Sequence, residues 1–162
     1  MAKIRAKRPE RTYETGQATS WLRRVALAAT VVLTAFLLAR FPYLPATIPT
    51  HFSLTGQADD WGPRWMLFPL IAVFGGLAIA VAWISKRPQF FNYPMGITES
   101  NAQSAYREGE RMMVWTEVAL VMLYAGVAAS TIGWNGTIFV AMGIVGMLGA
   151  VVGGLVRLLA VV

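Results

Sequence analysis

The sequence predicts an all-α membrane protein with four transmembrane helices, both ends in the cytoplasm (N-in/C-in), and an ordered Pro-rich outer loop between spans 1 and 2. Three observations predict it. Four long apolar runs are separated by short polar blocks, the basic residues crowd one side of those runs, and the tryptophans fall at their ends. The composition agrees: 56% of residues are hydrophobic and 14% charged, against about 25% charged in a soluble domain. Lipid does not solvate charge, so a membrane chain gathers it into a few blocks.

Residues 1–20 are polar and basic without an apolar period and read as a cytoplasmic basic tail, partly disordered. Residues 21–162 form the four-helix transmembrane domain, with spans at about 21–41, 65–84, 112–132 and 137–156. In span 1 the uncharged centre, Val25 to Ala39, is short against the roughly twenty residues a crossing helix needs. Arg23, Arg24 and Arg40 must therefore snorkel to the interfaces. A cleaved signal peptide is the competing reading, but no convincing small-x-small cleavage site follows the run, and a retained anchor is expected. Span 2 carries Pro69 in its first turns, where a missing N–H costs least, and ends at Lys86 and Arg87.

Span 3 continues a cytoplasmic helix that starts near Thr98, a candidate N-cap. Ala102, Ala105, Tyr106, Gly109, Met112 and Met113 recur there at three- and four-residue steps and form one apolar stripe. A tight Gly133-Trp134-Asn135-Gly136 turn makes spans 3 and 4 an antiparallel hairpin. Direction follows from charge. Arg40 and Arg64 fall on one side of the spans and every other Lys and Arg on the other, which the positive-inside rule puts in the cytoplasm. Trp21, Trp61, Trp65, Trp83, Trp115 and Trp134 all lie at or near span ends, the headgroup level that an amphipathic indole prefers.

The net charge of +6 does not point to nucleic acid. Half of the 14 Lys and Arg lie in the first 24 residues, immediately before an apolar run, where they set topology and touch anionic lipid. Without cysteine there are no disulfides and no thiolate chemistry. No P-loop, dinucleotide fingerprint, H-E-x-x-H or heme attachment motif occurs. No cofactor is expected and the protein is not read as an enzyme.

The outer loop, FPYLPATIPTHFSLTGQADDWGPR, is the most informative segment. Pro42, Pro45 and Pro49 stiffen it, Gly56 and Gly62 mark turns, and its aromatic and apolar content suits a loop folded back over the bundle. It holds the only histidine, His51, with Asp59 and Asp60 nearby. One His and two carboxylates are a thin set for a transition metal, so no metal is expected. His51 reads instead as a hydrogen-bonding post and Asp59 as a turn cap near Trp61. No nucleophile or oxyanion donor pair accompanies them.

The pattern Leu44-Pro45-x-x-Ile48-Pro49-x-His51-Phe52, then Gly56-x-x-Asp59-x-Trp61-Gly62 and Arg64, resembles the signature of a bacterial membrane family. That family is catalogued as domain of unknown function 1648 and forms the N-terminal part of SdpI-type immunity proteins. An inner motif, Asn92-Tyr93-Pro94, Ile97-Thr98, Asn101, Tyr106 and Arg111-Met112, is similar more weakly, so that the resemblance covers residues from about 25 to 125. It implies a four-helix domain of the bacterial cytoplasmic membrane with the Pro-His-Phe loop outside. SdpI-type proteins continue into a further C-terminal transmembrane region; they protect a producer from a secreted toxin and recruit a repressor to the membrane.

Two further features draw function. Glu117 is the only acidic residue expected within a span, and reads either as an intramembrane charge pair with Arg157 (or Lys86) or as a proton or ion site. Gly143, Gly146, Gly149 and Gly153 give span 4 a small-residue face, with a G-x-x-x-G at Gly149 and Gly153, suited to packing inside the bundle or against a partner. The expected function is therefore non-enzymatic protein–protein interaction of the immunity or signalling type. The alternatives are an accessory subunit docked through span 4 and a small transporter or ion-binding protein using Glu117. The expected partners are the lipid bilayer and other membrane proteins.

Overall fold

The computed structural model describes residues 8–53 and 57–161. Four helices carry the fold: α1 (Gln17–Arg40), α2 (Leu67–Ser85), α3 (Ala102–Thr131) and α4 (Thr137–Ala160). All four are long and apolar enough to cross a membrane. Between α1 and α2 the chain forms an antiparallel hairpin of β1 (Thr47–Phe52) and β2 (Ala58–Pro63). The hairpin and the 133–136 turn define one end of the bundle, called here the outer end. The N-terminal segment, the 86–101 connection and the end of α4 define the inner end.

The helix bounds differ from expectation at two places. α1 begins at Gln17, so part of the basic tail is helical and the first span gains a turn on its inner side. The extra turn precedes Arg23 and Arg24, so it lengthens the helix while the uncharged centre keeps its length. α3 begins at Ala102 rather than Thr98, with Asn101 at its N-cap position. Thr98 lies in the preceding turn, where its N–H donates to Asn101 Oδ1 at 2.9 Å and its carbonyl accepts from Ala102 N–H at 3.0 Å. The Asn101 amide also donates to Gly96 O at 3.0 Å, so one side chain of the inner motif organises the whole turn.

α3 is the central helix. Its completely or nearly buried residues Val114, Glu117, Val121, Tyr124 and Ala128 follow three- and four-residue steps along one face. α1 and α2 pack on that side: Ala26 and Ala78 meet Leu120 and Val121, and Phe74 stacks on Tyr124 with ring centroids 5.6 Å apart. α4 packs principally on α3, with no comparable contact to α1 or α2.

Glycine sets how closely α3 and α4 approach. A Cβ on Gly126 would stand 2.5 Å from Val140 N, and one on Gly143 would stand 2.6 Å from Leu123 N. Gly133 turns the chain between the two helices with φ +85°, a left-handed conformation that favours glycine. All six tryptophans are exposed. They lie towards the two ends of the bundle, as side chains meeting a headgroup layer would.

Candidate functional site

Two structured regions lie outside the apolar packing: the hairpin at the outer end and a charge cluster at the inner end.

The hairpin is a fixed part of the bundle. Leu44 and Ile48, 5% and 1% exposed, enter one apolar cluster with Leu37, Leu67, Tyr124 and Ala128. Its base is closed by Arg64 N–H donating to Ala46 O at 2.9 Å, while the Arg64 guanidinium lies 5.3 Å from the Phe41 ring centroid. Ile48 pairs with Gly62 and Pro49 with Trp61 in the strand register. A Cβ on Gly62 would stand 2.9 Å from Thr50 Cγ2, so glycine there lets the strands close. Register shifts fall on either side of His51, next to a proline that has no N–H for the ladder.

The polar residues of the hairpin face outward. His51 Nδ1 donates to Asp59 Oδ1 at 2.6 Å, with both side chains exposed. The donor role falls to the ring because an ionised carboxylate only accepts. Asp60, rather than Asp59, accepts the Trp61 N–H, at 2.9 Å. The turn-cap role expected of Asp59 thus belongs to its neighbour, because Asp59 is turned to His51. Phe52 is half-buried, Pro45 exposed and Trp61 57% exposed. Gly56 lies outside the described residues. A cavity of about 410 Å³ lies between β1 and the outer ends of α3 and α4, lined among others by His51, Phe52, Val127, Ser130 and Ile144. Among the described residues no three His, Cys, Asp or Glu side chains stand together as a metal site.

At the inner end Glu110 organises a buried network that the sequence analysis missed. The Arg23 guanidinium pairs with Glu110 Oε1, and its Nε donates to Ser85 Oγ at 3.0 Å. Tyr13 Oη donates to Glu110 Oε2 at 2.6 Å, Thr15 Oγ1 to Oε1 at 2.9 Å, and Arg11 Nη2 lies 3.4 Å from Oε2. One carboxylate thus joins α1, α3 and the N-terminal segment, with α2 tied in through Ser85. Burial and the adjacent Glu110 carboxylate hold the Tyr13 phenol well above its ordinary pKa. The segment before α1 is consequently not disordered over residues 8–16. Arg8 Nη1 reaches Gln89 O at 3.0 Å and Phe91 O at 2.5 Å, and Tyr106 Oη donates to Pro9 O at 3.0 Å.

The inner motif packs beneath that segment. The Tyr93 ring lies 5.9 Å from the Tyr106 ring, and its hydroxyl donates to Pro88 O at 2.9 Å. A Cβ on Gly109 would stand 2.7 Å from Tyr93 Oη. Burial raises the Tyr93 pKa. Asn92 and Pro94 are exposed. Glu110 had a signal in the sequence, since it lies four residues after Tyr106 and seven before Glu117, on the stripe that Tyr106 defines.

The expected Glu117–Arg157 pair does not form. Glu117 is completely buried, and neither carboxylate oxygen has a hydrogen-bond partner among the described residues. The face of α3 decides this. Glu117 stands seven residues from both Glu110, which meets Arg23 of α1, and Tyr124, which meets Thr34 of α1. Its charged neighbours are Arg23 and Lys86. Arg157 is exposed on α4, against another side of α3.

The glycines of α4 divide. Gly143 and Gly146 face α3, a Cβ on Gly146 standing 3.2 Å from Ala119 Cβ, whereas Gly149 and Gly153 have nothing within 4 Å of that position. The G-x-x-x-G pair therefore does not serve the α3–α4 contact.

Four candidate spanning helices with a clamped hairpin define a multi-pass membrane protein. Within it, residues 27–76 match the family model of a domain of unknown function, DUF1648. The match takes in most of α1, the entire hairpin and the first half of α2, and so contains the outer motif, while the inner motif lies beyond it. A protein of Archaeoglobus fulgidus described as uncharacterized is 36% identical over 95 residues, covering 53% of this chain and 50% of that protein. The chain thus spans about half the length of the curated relative it matches. No solved structure matches.

Proposed function

We propose that this is a non-enzymatic interaction protein of the bacterial cytoplasmic membrane, of the immunity or signalling type that SdpI-like proteins represent. Its termini lie in the cytoplasm and its hairpin outside, the orientation that the basic residues favour. One observation carries the reading. The hairpin is anchored by Leu44 and Ile48 yet presents His51, Asp59, Asp60 and Trp61 to the surroundings. An ordered surface with an exposed aromatic and paired polar groups is suited to recognition, because little ordering entropy remains to be lost on binding.

The test is capture of an extracytoplasmic partner from native membranes through a photo-crosslinker at Asp60. Trp61→Ala combined with His51→Ala is expected to lower capture about tenfold or more, as truncation of an interface centre does, without lowering the yield of folded protein. Undiminished capture by the double variant removes the hairpin from the function.

The buried carboxylate of Glu117 favours a second reading, a small transporter or ion-binding protein, since intramembrane carboxylates are costly and commonly functional. That reading requires pH-driven flux in liposomes that Glu117→Gln abolishes; absent or unaltered flux rejects it.

A further inference from the structure

At the inner end, on the side of α3 away from α1 and α2, a cavity of about 310 Å³ opens between α3 and α4. Arg111 and Trp115 line it from α3, and Gly149, Gly153 and Arg157 from α4. Glu108 also lines it, but its Oε1 is held by Arg111 Nη1 at 2.7 Å. Arg157 is exposed and has no carboxylate within ion-pairing distance among the described residues. The three charges leave the site with one net positive charge, and that charge stands on Arg157.

The depth of the site follows from the helix contacts. Gly154 packs against the Met112 side chain, so Arg157 and Arg111 lie at the same end of the helix pair. Trp115, 49% exposed, stands one turn further in. The open positions at Gly149 and Gly153 continue the cavity along α4 towards the apolar middle of the span. The surrounding side chains of α4, Val145, Leu148 and Val152, are exposed and apolar. A cationic pocket at headgroup depth that runs into an apolar trough has the shape and charge of one lipid molecule.

We propose that this cavity is a binding site for an anionic phospholipid, with the phosphate held by Arg157 and Arg111 and an acyl chain lying over Gly149 and Gly153. The occupant is fixed by charge and depth together. One net positive charge matches one phosphodiester, basic pockets between helices near the cytoplasmic face bind such headgroups, and Arg presents a forked donor set to phosphate oxygens. A second copy of this chain docking on the G-x-x-x-G pair would bring Arg157 against its own kind.

The test is native mass spectrometry of the intact protein released from nanodiscs of phosphatidylglycerol and phosphatidylcholine in equal amounts. The wild type is expected to retain one phosphatidylglycerol in preference to phosphatidylcholine. Arg157→Gln should lower that retention about fivefold, the worth of one cation near the membrane surface. Gly149→Leu should lower it without unfolding the protein, because nothing stands within 4 Å of its Cβ position. Inorganic phosphate should not displace the lipid, since it lacks the acyl chain; displacement by it would make the site a free-phosphate site and overturn the proposal. Equal retention of both lipids, retention unchanged in both variants, or a dimer that Gly149→Leu converts to monomer would also overturn it.

Discussion

Glu110→Ala is expected to destabilise the protein by about 3–5 kcal/mol, the cost of breaking a buried ion pair by removing one partner. Glu110 is 1% exposed and the Arg23 side chain 8%, so the guanidinium would be left uncompensated beside α2 and α3. Tyr13 and Thr15 would lose their acceptor in the same step. The loss should be local as well as global. Arg11, Tyr13 and Thr15 lose their contacts to this carboxylate while Arg8 and Pro9 keep theirs to the 89–91 segment and Tyr106, so limited proteolysis should cleave near residues 11–15 in the variant at protease concentrations that leave the wild type intact. Denaturation in detergent measures the global part. Combining Glu110→Ala with Arg23→Met should cost less than the sum of the single changes, because the double variant leaves no buried charge unpaired. Additive losses would mean that the pair acts only as packing.

Ile48→Ala is expected to cost about 2–5 kcal/mol, as truncation of a fully buried branched side chain does. Ile48 is 1% exposed and enters the cluster that also contains Leu37, Leu67 and Tyr124. Most of this cost should appear as detachment of the hairpin, because β1 would then have no side chain in that buried cluster, leaving only Leu44 just before it. Hydrogen exchange distinguishes the outcomes. Amides of 47–52 and 58–63 should exchange faster while those of α3 stay protected. If all four helices lose protection together, the hairpin is part of one cooperative unit with the bundle.

These two sites differ in how legible they were. The four helices followed from apolar runs and charge blocks, both of which are properties of the sequence itself. The folding back of the outer loop was also legible, since Leu44, Ile48 and Phe52 have no place in a solvated linker. Its strands were not, because Pro45 and Pro49 argue against a ladder and only the cross-strand pairing with Gly62 and Trp61 establishes one. Glu110 was missed for a different reason. Its partners Tyr13, Thr15 and Arg23 come from more than 80 residues earlier. Its place on the Tyr106 stripe was legible, but pairing over such a separation leaves no local pattern. Glu117 and Arg157 were joined because both were placed near the same membrane face. The side of α3 on which each lies is set by packing, which shared depth does not determine.

The measurement that bears most directly on the account is the sidedness of the hairpin. The chain has no cysteine, so single cysteines report cleanly. Asp60→Cys lies on the hairpin, and Thr12→Cys and Glu99→Cys lie at the inner end, all at exposed positions. In intact spheroplasts a membrane-impermeant maleimide should label Asp60→Cys, and should label the other two only after lysis. Labelling of position 60 together with position 12 or 99 before lysis would contradict a four-span protein with its hairpin outside.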